Sequence, residues 1–138
     1  MAKTIKDAMT ANPRTIEQDG TVVDAARIMR DADTGIVPIV EGERLMGTIT
    51  DRDITIRVVA EGKSPESTKV VEIASREIVT IDPQQDLDEA LGLMARHQVR
   101  RLPVVEEDGR LVGIVAQADI AEHANEKQTG KMVEEISK

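Results

Sequence analysis

The run Ile36-Val37-Pro38-Ile39-Val40-Glu41-Gly42-Glu43-Arg44-Leu45-Met46-Gly47-Thr48-Ile49-Thr50-Asp51-Arg52-Asp53 is written a second time, with changes, as Arg101-Leu102-Pro103-Val104-Val105-Glu106-Glu107-Asp108-Gly109-Arg110-Leu111-Val112-Gly113-Ile114-Val115-Ala116-Gln117-Ala118-Asp119. The Pro-containing strands are 65 positions apart (102 − 37), and the Gly-containing strands 66 (110 − 44), because the second turn is one residue longer. Upstream the copy continues: Thr15-Ile16 returns as Thr80-Ile81, Ala25 as Ala90 and Met29 as Met94. A duplicated unit of this size must bury its apolar faces against its own copy or another chain. The crevice between two such copies is the natural place for a ligand.

Each copy reads strand, helix, strand, strand, helix, which predicts an α/β fold of two tandem repeats. In the first, Arg14-Thr15-Ile16 is a short strand and Asp19-Gly20 turns the chain. Thr21 with Asp24 three residues on resembles a capping box, and Val22, Ala25, Ala26 and Met29 form a helical stripe. Asp86 and Glu89 repeat the start, and Leu87, Ala90, Leu91 and Met94 the stripe. The apolar runs 36–40 and 45–50, and their counterparts, read as hairpins. A second helix begins around Asp51 and again around Gln117. The expected boundaries are 5–61 for the first repeat, 62–69 for a polar linker, 70–124 for the second repeat and 125–138 for a charged C-terminal tail.

Composition narrows the function. Of 138 residues, 40% are hydrophobic and none is Phe, Tyr or Trp, so the core is wholly aliphatic. Without aromatic rings there is no stacking platform for single-stranded nucleic acid. A net charge of −8 opposes binding to a phosphate backbone. The absence of cysteine removes disulfides, thiol catalysis and Cys-based metal sites. No signal peptide is evident, and no apolar run approaches the ~20 residues of a membrane span. The expectation is a cytoplasmic protein with neither nucleic acid nor membrane as partner. His97 and His123 lack a third ligand nearby in sequence, so no metal site is expected, and no nucleophile–base motif points to an enzyme.

The sharpest local motif is Gly47-Thr48-Ile49-Thr50-Asp51-Arg52-Asp53, at the passage from strand to helix. A Thr hydroxyl beside free helix N–H groups suits phosphate, and a carboxylate one turn later suits the vicinal hydroxyls of ribose. Thr50 and Asp53 are thus candidates for a nucleoside-phosphate grip. The same spacing is also a capping box that needs no ligand. The second copy keeps Asp119 but has Ala116 in place of Thr50, which tilts the reading toward a ligand at the first site. Arg100 and Arg101, just before Leu102-Pro103, form either a phosphate clamp or ion pairs with an acidic surface. Arg52 reads as a solvated helix residue lying where phosphates would arrive. Val37-Pro38 and Leu102-Pro103 suggest strands at an edge or irregularity, since Pro removes a ladder donor. Such an edge could hydrogen-bond a flat heterocycle such as adenine, or be a mere strand end.

Taken together, the tandem pattern of an apolar-Pro-apolar strand, a Gly-led strand and Thr/Ser-x-x-Asp at a helix start resembles a pair of cystathionine-beta-synthase (CBS) domains, the Bateman module. The likeness covers roughly Ile5 to Ala124. Thr50-Asp51-Arg52-Asp53-Ile54 and His97-Gln98-Val99-Arg100-Arg101-Leu102-Pro103-Val104 resemble the small stand-alone members, including the hypoxic response proteins. The resemblance implies a pseudo-twofold pair of β-α-β-β-α repeats that binds AMP, ADP, ATP or S-adenosylmethionine between the repeats, as a regulatory ligand and without chemistry. Thr50 and Asp53 would hold phosphate or ribose, Arg100 and Arg101 would face phosphates, and atoms near Val37 and Pro38 would flank the base. Asp119 would serve a second site that Ala116 weakens. No cofactor is required, and a regulated protein partner is implied but not identified. A structural or protein-interaction module without nucleotide is the alternative. Homodimerisation is expected too, through helical faces containing Ile54, Val58 and Ile120.

Overall fold

The computed structural model describes residues 3–75 and 77–123. In chain order the elements are α1 (Ile5–Ala8), β1 (Thr10–Ala11), β2 (Ile16–Glu17), α2 (Val22–Ala32), β3 (Ile36–Glu41), β4 (Arg44–Thr50), α3 (Asp51–Ile54), α4 (Val70–Ile73), α5 (Leu87–His97), β5 (Arg101–Val105) and β6 (Leu111–Ala116). α3 widens directly into a π turn, Thr55–Val59. Residues 117–123 are helical, and the expected tail lies outside the described residues. No helix among the described residues is long and apolar enough to cross a membrane.

The chain divides into two compact units, and neither is one continuous stretch. The first comprises residues 1–11, 79–107 and 112–138; the second comprises 12–78 and 108–111. The second unit holds the sheet β2-β3-β4, with β2 parallel to β3 and β3 antiparallel to β4. Its core is Ile16, Val22, Ala25, Met29, Val37, Ile39, Ile49, Val58, Val70 and Ile73. The first unit holds the sheet β1-β6-β5, over a core that includes Ile5, Ala8, Ala90, Met94, Leu102, Val104, Val115 and Ile120.

The short leading segments are what the strand–helix–strand–strand–helix reading left out. β1, at the head of the first copy, pairs with β6 of the second: Thr10 opposite Ile114 and Ala11 opposite Gly113. Ser75, at the head of the second copy, bridges Thr48 of the first through Thr48 N–H to Ser75 O at 3.2 Å and Ser75 N–H to Thr48 O at 3.1 Å. The leading segments are exchanged between copies. The repeated glycine follows from this exchange. A Cβ on Gly113 would lie 2.9 Å from the Thr10 carbonyl oxygen and 2.5 Å from Met9 Sδ, and one on Gly47 3.0 Å from the Ser75 carbonyl oxygen. Only a residue without a side chain lets the incoming backbone approach this closely.

Helix starts follow one chemical pattern. Thr21 accepts from the Asp24 N–H and Asp24 accepts from the Thr21 N–H, both at 3.3 Å. The N3 carboxylate alone recurs as Asp7 on Thr4 N–H at 3.0 Å and Glu72 on Lys69 N–H at 2.8 Å. Each bond satisfies a backbone donor that the helix cannot. α2 and α5 end alike, on Asp33 and Gln98 in the left-handed conformation, with φ of 51° and 55°.

Three expectations are corrected. Of the edge or irregularity expected at the Pro-containing strands, β5 is an edge, whereas β3 is the central strand of its sheet and carries the irregularity instead, a bulge between Ile39 and Val40. Pro38 is tolerated because the parallel pairing with β2 starts one residue later, at Ile39 opposite Ile16. In α5, Leu91 is exposed and Leu93 packs on the core instead. The faces expected to mediate dimerisation are internal: Val58 is 0% and Ile120 2% exposed, and Ile54 packs against the same core as Val58. The apolar side chains left outside on the π turn are Ile56 and Val59.

Candidate functional site

The strand-to-helix passage of the first copy lies in the second unit. Thr50 ends β4 in extended conformation and caps α3. Its Oγ1 accepts from Asp53 N–H at 3.1 Å, and its own N–H donates to Asp53 Oδ2 at 2.9 Å. Both side chains are therefore fixed before any ligand arrives. The Asp51 N–H donates to the Gly35 carbonyl at 3.0 Å, which ties the helix start to the start of the hairpin. Arg52 is exposed, while Val37 and Pro38 are buried in the adjoining strand.

Asp53 is the carboxylate of the candidate site. Its side chain is 17% exposed, with Oδ2 committed to Thr50. Among the described residues Oδ1 accepts no hydrogen bond and has one charged neighbour, Arg57 Nε at 4.0 Å. That is an ion pair at the outer limit of contact, too long for a hydrogen bond. Arg57 itself donates from Nη1 to the Ile73 carbonyl at 3.0 Å. Sequence reasoning passed over Arg57, although its place four residues after an aspartate in a helix was a readable signal. A held carboxylate with one open oxygen can accept hydrogen bonds from paired hydroxyls; it offers no nucleophile–base arrangement.

The second copy's passage lies in the first unit with the same backbone geometry. The Gln117 N–H donates to the Arg100 carbonyl at 2.8 Å, as Asp51 does to Gly35. Asp119 Oδ2 accepts from Ala116 N–H at 3.2 Å. This overturns one step of the sequence reasoning. Loss of the Thr hydroxyl does not abolish the cap, because the carboxylate half of the box persists without it. Retention of Asp119 therefore does not by itself call for a ligand. Arg100 and Arg101 are both exposed, and among the described residues neither lies within ion-pair distance of a carboxylate. Thr50, Arg52, Asp53, Val37 and Pro38 thus belong to the second unit, and Arg100, Arg101 and Asp119 to the first.

His97 ends α5, and His123 Nδ1 lies 3.1 Å from Lys3 Nζ. Among the described residues no group of three or more His, Asp or Glu could hold a metal ion.

Comparison with known proteins identifies the family. The CBS domain model matches twice, over residues 5–60 and 70–126. Hypoxic response protein 1 of Mycobacterium tuberculosis is 40% identical over 134 residues, covering 96% of this chain and 93% of its own. The crystal structure of Hypoxic Response Protein I with two coordinated zinc ions superposes with a TM-score of 0.81 at 42% identity, over 88% of this chain and 98% of that one. The CBS domain pair of protein MJ0100, in complex with 5′-methylthioadenosine and S-adenosyl-L-methionine, superposes with a TM-score of 0.82 at 27% identity, over 92% and 99%. With two matched copies in one chain and a relative this similar along nearly its whole length, the protein belongs to the CBS domain family, as a tandem CBS pair.

Proposed function

We propose that this CBS pair is a non-catalytic regulatory module, cytoplasmic and homodimeric, that binds an adenosine-containing ligand: AMP, ADP, ATP or S-adenosylmethionine. The observation that carries the reading is the Asp53 carboxylate, largely buried and fixed through Oδ2, with Oδ1 open to a ligand. Charge-assisted hydrogen bonds from the two ribose hydroxyls suit that oxygen. Thr50 fixes the carboxylate and adds its hydroxyl oxygen, and Arg52 supplies positive charge for phosphate. Val37 and Pro38 support the base. Arg100 and Arg101 give the second copy a basic hairpin start, with Asp119 as its ribose acceptor. The 5′-methylthioadenosine and S-adenosyl-L-methionine held by the MJ0100 pair support the ligand class. With Ala116 in place of a hydroxyl, the second site is the weaker.

Calorimetric titration with AMP, ATP and S-adenosylmethionine tests the reading, with saturable binding to at least one as the expected result. A hydrolysis assay on the same compounds tests the non-catalytic part: turnover would contradict it. A second reading, a structural or protein-interaction module, is favoured by the capping box at Thr50, which is complete without ligand. Absence of binding by all three compounds would select it.

A further inference from the structure

We infer that Arg57 is a positioning residue that couples occupancy at Asp53 to the docking of the exchanged segment, residues 70–75; the inference rests on the reading of Asp53 as a ligand-binding carboxylate. A guanidinium presents several N–H donors in a rigid fork, so one side chain can serve two acceptors at once. Arg57 does so. Nη1 holds the Ile73 carbonyl, the last of α4, at 3.0 Å, and Nε faces Asp53 Oδ1 at 4.0 Å. Two residues beyond Ile73, Ser75 exchanges backbone bonds with Thr48 at 3.1 and 3.2 Å. Thr48 lies two residues before Thr50, whose N–H returns to Asp53 Oδ2 at 2.9 Å. The contacts close a ring from the carboxylate, through Arg57 and the exchanged segment, to the strand that delivers Thr50.

The loosest link in that ring is the 4.0 Å ion pair at Asp53 Oδ1, the ligand-facing oxygen. Hydroxyls bound to Oδ1 restrict the carboxylate and, through the ion pair, the half-exposed Arg57 side chain. A restricted Arg57 spends more of its time on the Ile73 carbonyl. Ordering shared in this way is itself a coupling free energy, and it is reciprocal: a well-docked segment tightens the ligand. Arg57 also sits in a π turn, a rare form found disproportionately at functional positions.

The second copy lacks the device. The position matching Arg57 is His123 (123 − 57 = 66, as 119 − 53 = 66). An imidazole has no such fork. Its described contact is with Lys3 at 3.1 Å rather than with the carbonyl of Ala8, the counterpart of Ile73.

Hydrogen–deuterium exchange at the Thr48 and Ser75 amides of the full chain tests the relay, with and without saturating AMP, ATP or S-adenosylmethionine. In wild type the bound compound should slow exchange there about fivefold or more. In Arg57→Gln that slowing should vanish while binding persists, weakened by the same factor. Arg57→Lys, which keeps the charge but not the fork, should restore only part of it, and it carries the test if the glutamine variant does not fold. Binding with no slowing in wild type, or with equal slowing in wild type and variant, overturns the relay and leaves the binding site standing. Absence of binding by all three compounds overturns the Asp53 reading, and the relay with it.

Discussion

Replacing Asp53 separates its observed capping role from its proposed ligand role, because Oδ2 makes the cap and the proposal places the ligand on Oδ1. In Asp53→Ala the Thr50 N–H loses its acceptor at 2.9 Å, a capping loss on the order of 1 kcal/mol in the unliganded protein. Oδ1 disappears too, and with it the proposed acceptor for ribose. A hydrogen bond to a charged group is worth roughly 1.5–3 kcal/mol, so affinity should fall about tenfold or more. At a nucleotide concentration of about 100 Kd, binding stabilises the wild type by roughly 2.7 kcal/mol. After a tenfold loss the same concentration is about 10 Kd, and the stabilisation drops to roughly 1.4 kcal/mol. The missing ~1.3 kcal/mol corresponds to a ligand-induced Tm shift smaller by about 3–5 °C. Asp53→Asn keeps an acceptor for Thr50 but removes the charge, so its unliganded melt should stay closer to wild type while its ligand shift still shrinks. Thermal melts of the three proteins, with and without AMP or ATP, give both quantities. Equal ligand shifts in all three would refute the assignment of Asp53 to ribose.

Gly113→Ala should destabilise by roughly 1–3 kcal/mol in urea unfolding, and by more than Gly47→Ala, because the added Cβ meets both the Thr10 carbonyl and Met9 Sδ rather than a single carbonyl at 3.0 Å. Equal, negligible costs would contradict the close approach of the exchanged segments. Ala116→Thr should complete the second capping box and stabilise by about 0.5–1 kcal/mol in the same assay; in titrations it should also bring the two sites closer in affinity. Ile56→Glu should shift the protein to monomer in light scattering if the exposed Ile56 and Val59 face covers itself against a second copy. An unchanged mass would place the contact elsewhere.

The features readable in the sequence are those whose causes are local. Thr21 with Asp24 and Asp86 with Glu89 announce their helices within four residues, and alternating apolar runs with a glycine turn announce the hairpins. Duplication made each reading checkable against its copy. The features that escaped depend on distant partners. Ile5–Ala8 and Val70–Ile73 are single turns, too short for periodicity to register, and each is helical because a core elsewhere in the chain accepts its apolar side chains. Val58 and Ile120 looked available for a partner because helical spacing says which residues share a face, not whether that face turns inward. The Thr50–Asp53 pair was legible as both cap and grip, and the structure keeps both open: the cap is formed, and among the described residues Asp53 Oδ1 accepts no hydrogen bond.

The exchanged leading segments bear on how the chain is made. Thr10 leaves the ribosome long before its strand partner Ile114, 104 residues later (114 − 10). Ile5 and Ala8, both buried in the finished protein, meet none of the other residues of their core until Ile81 has followed, and Val115 and Ile120 come later still. Synthesis proceeds from the N-terminus, and contacts between distant residues form last and slowly. Most of the second unit comes from the continuous stretch 12–78 and can condense early, whereas the first unit waits for strand β6. A nick in the connector at residues 62–69 would not release two autonomous domains. It would yield two complementary fragments, each holding the piece the other needs.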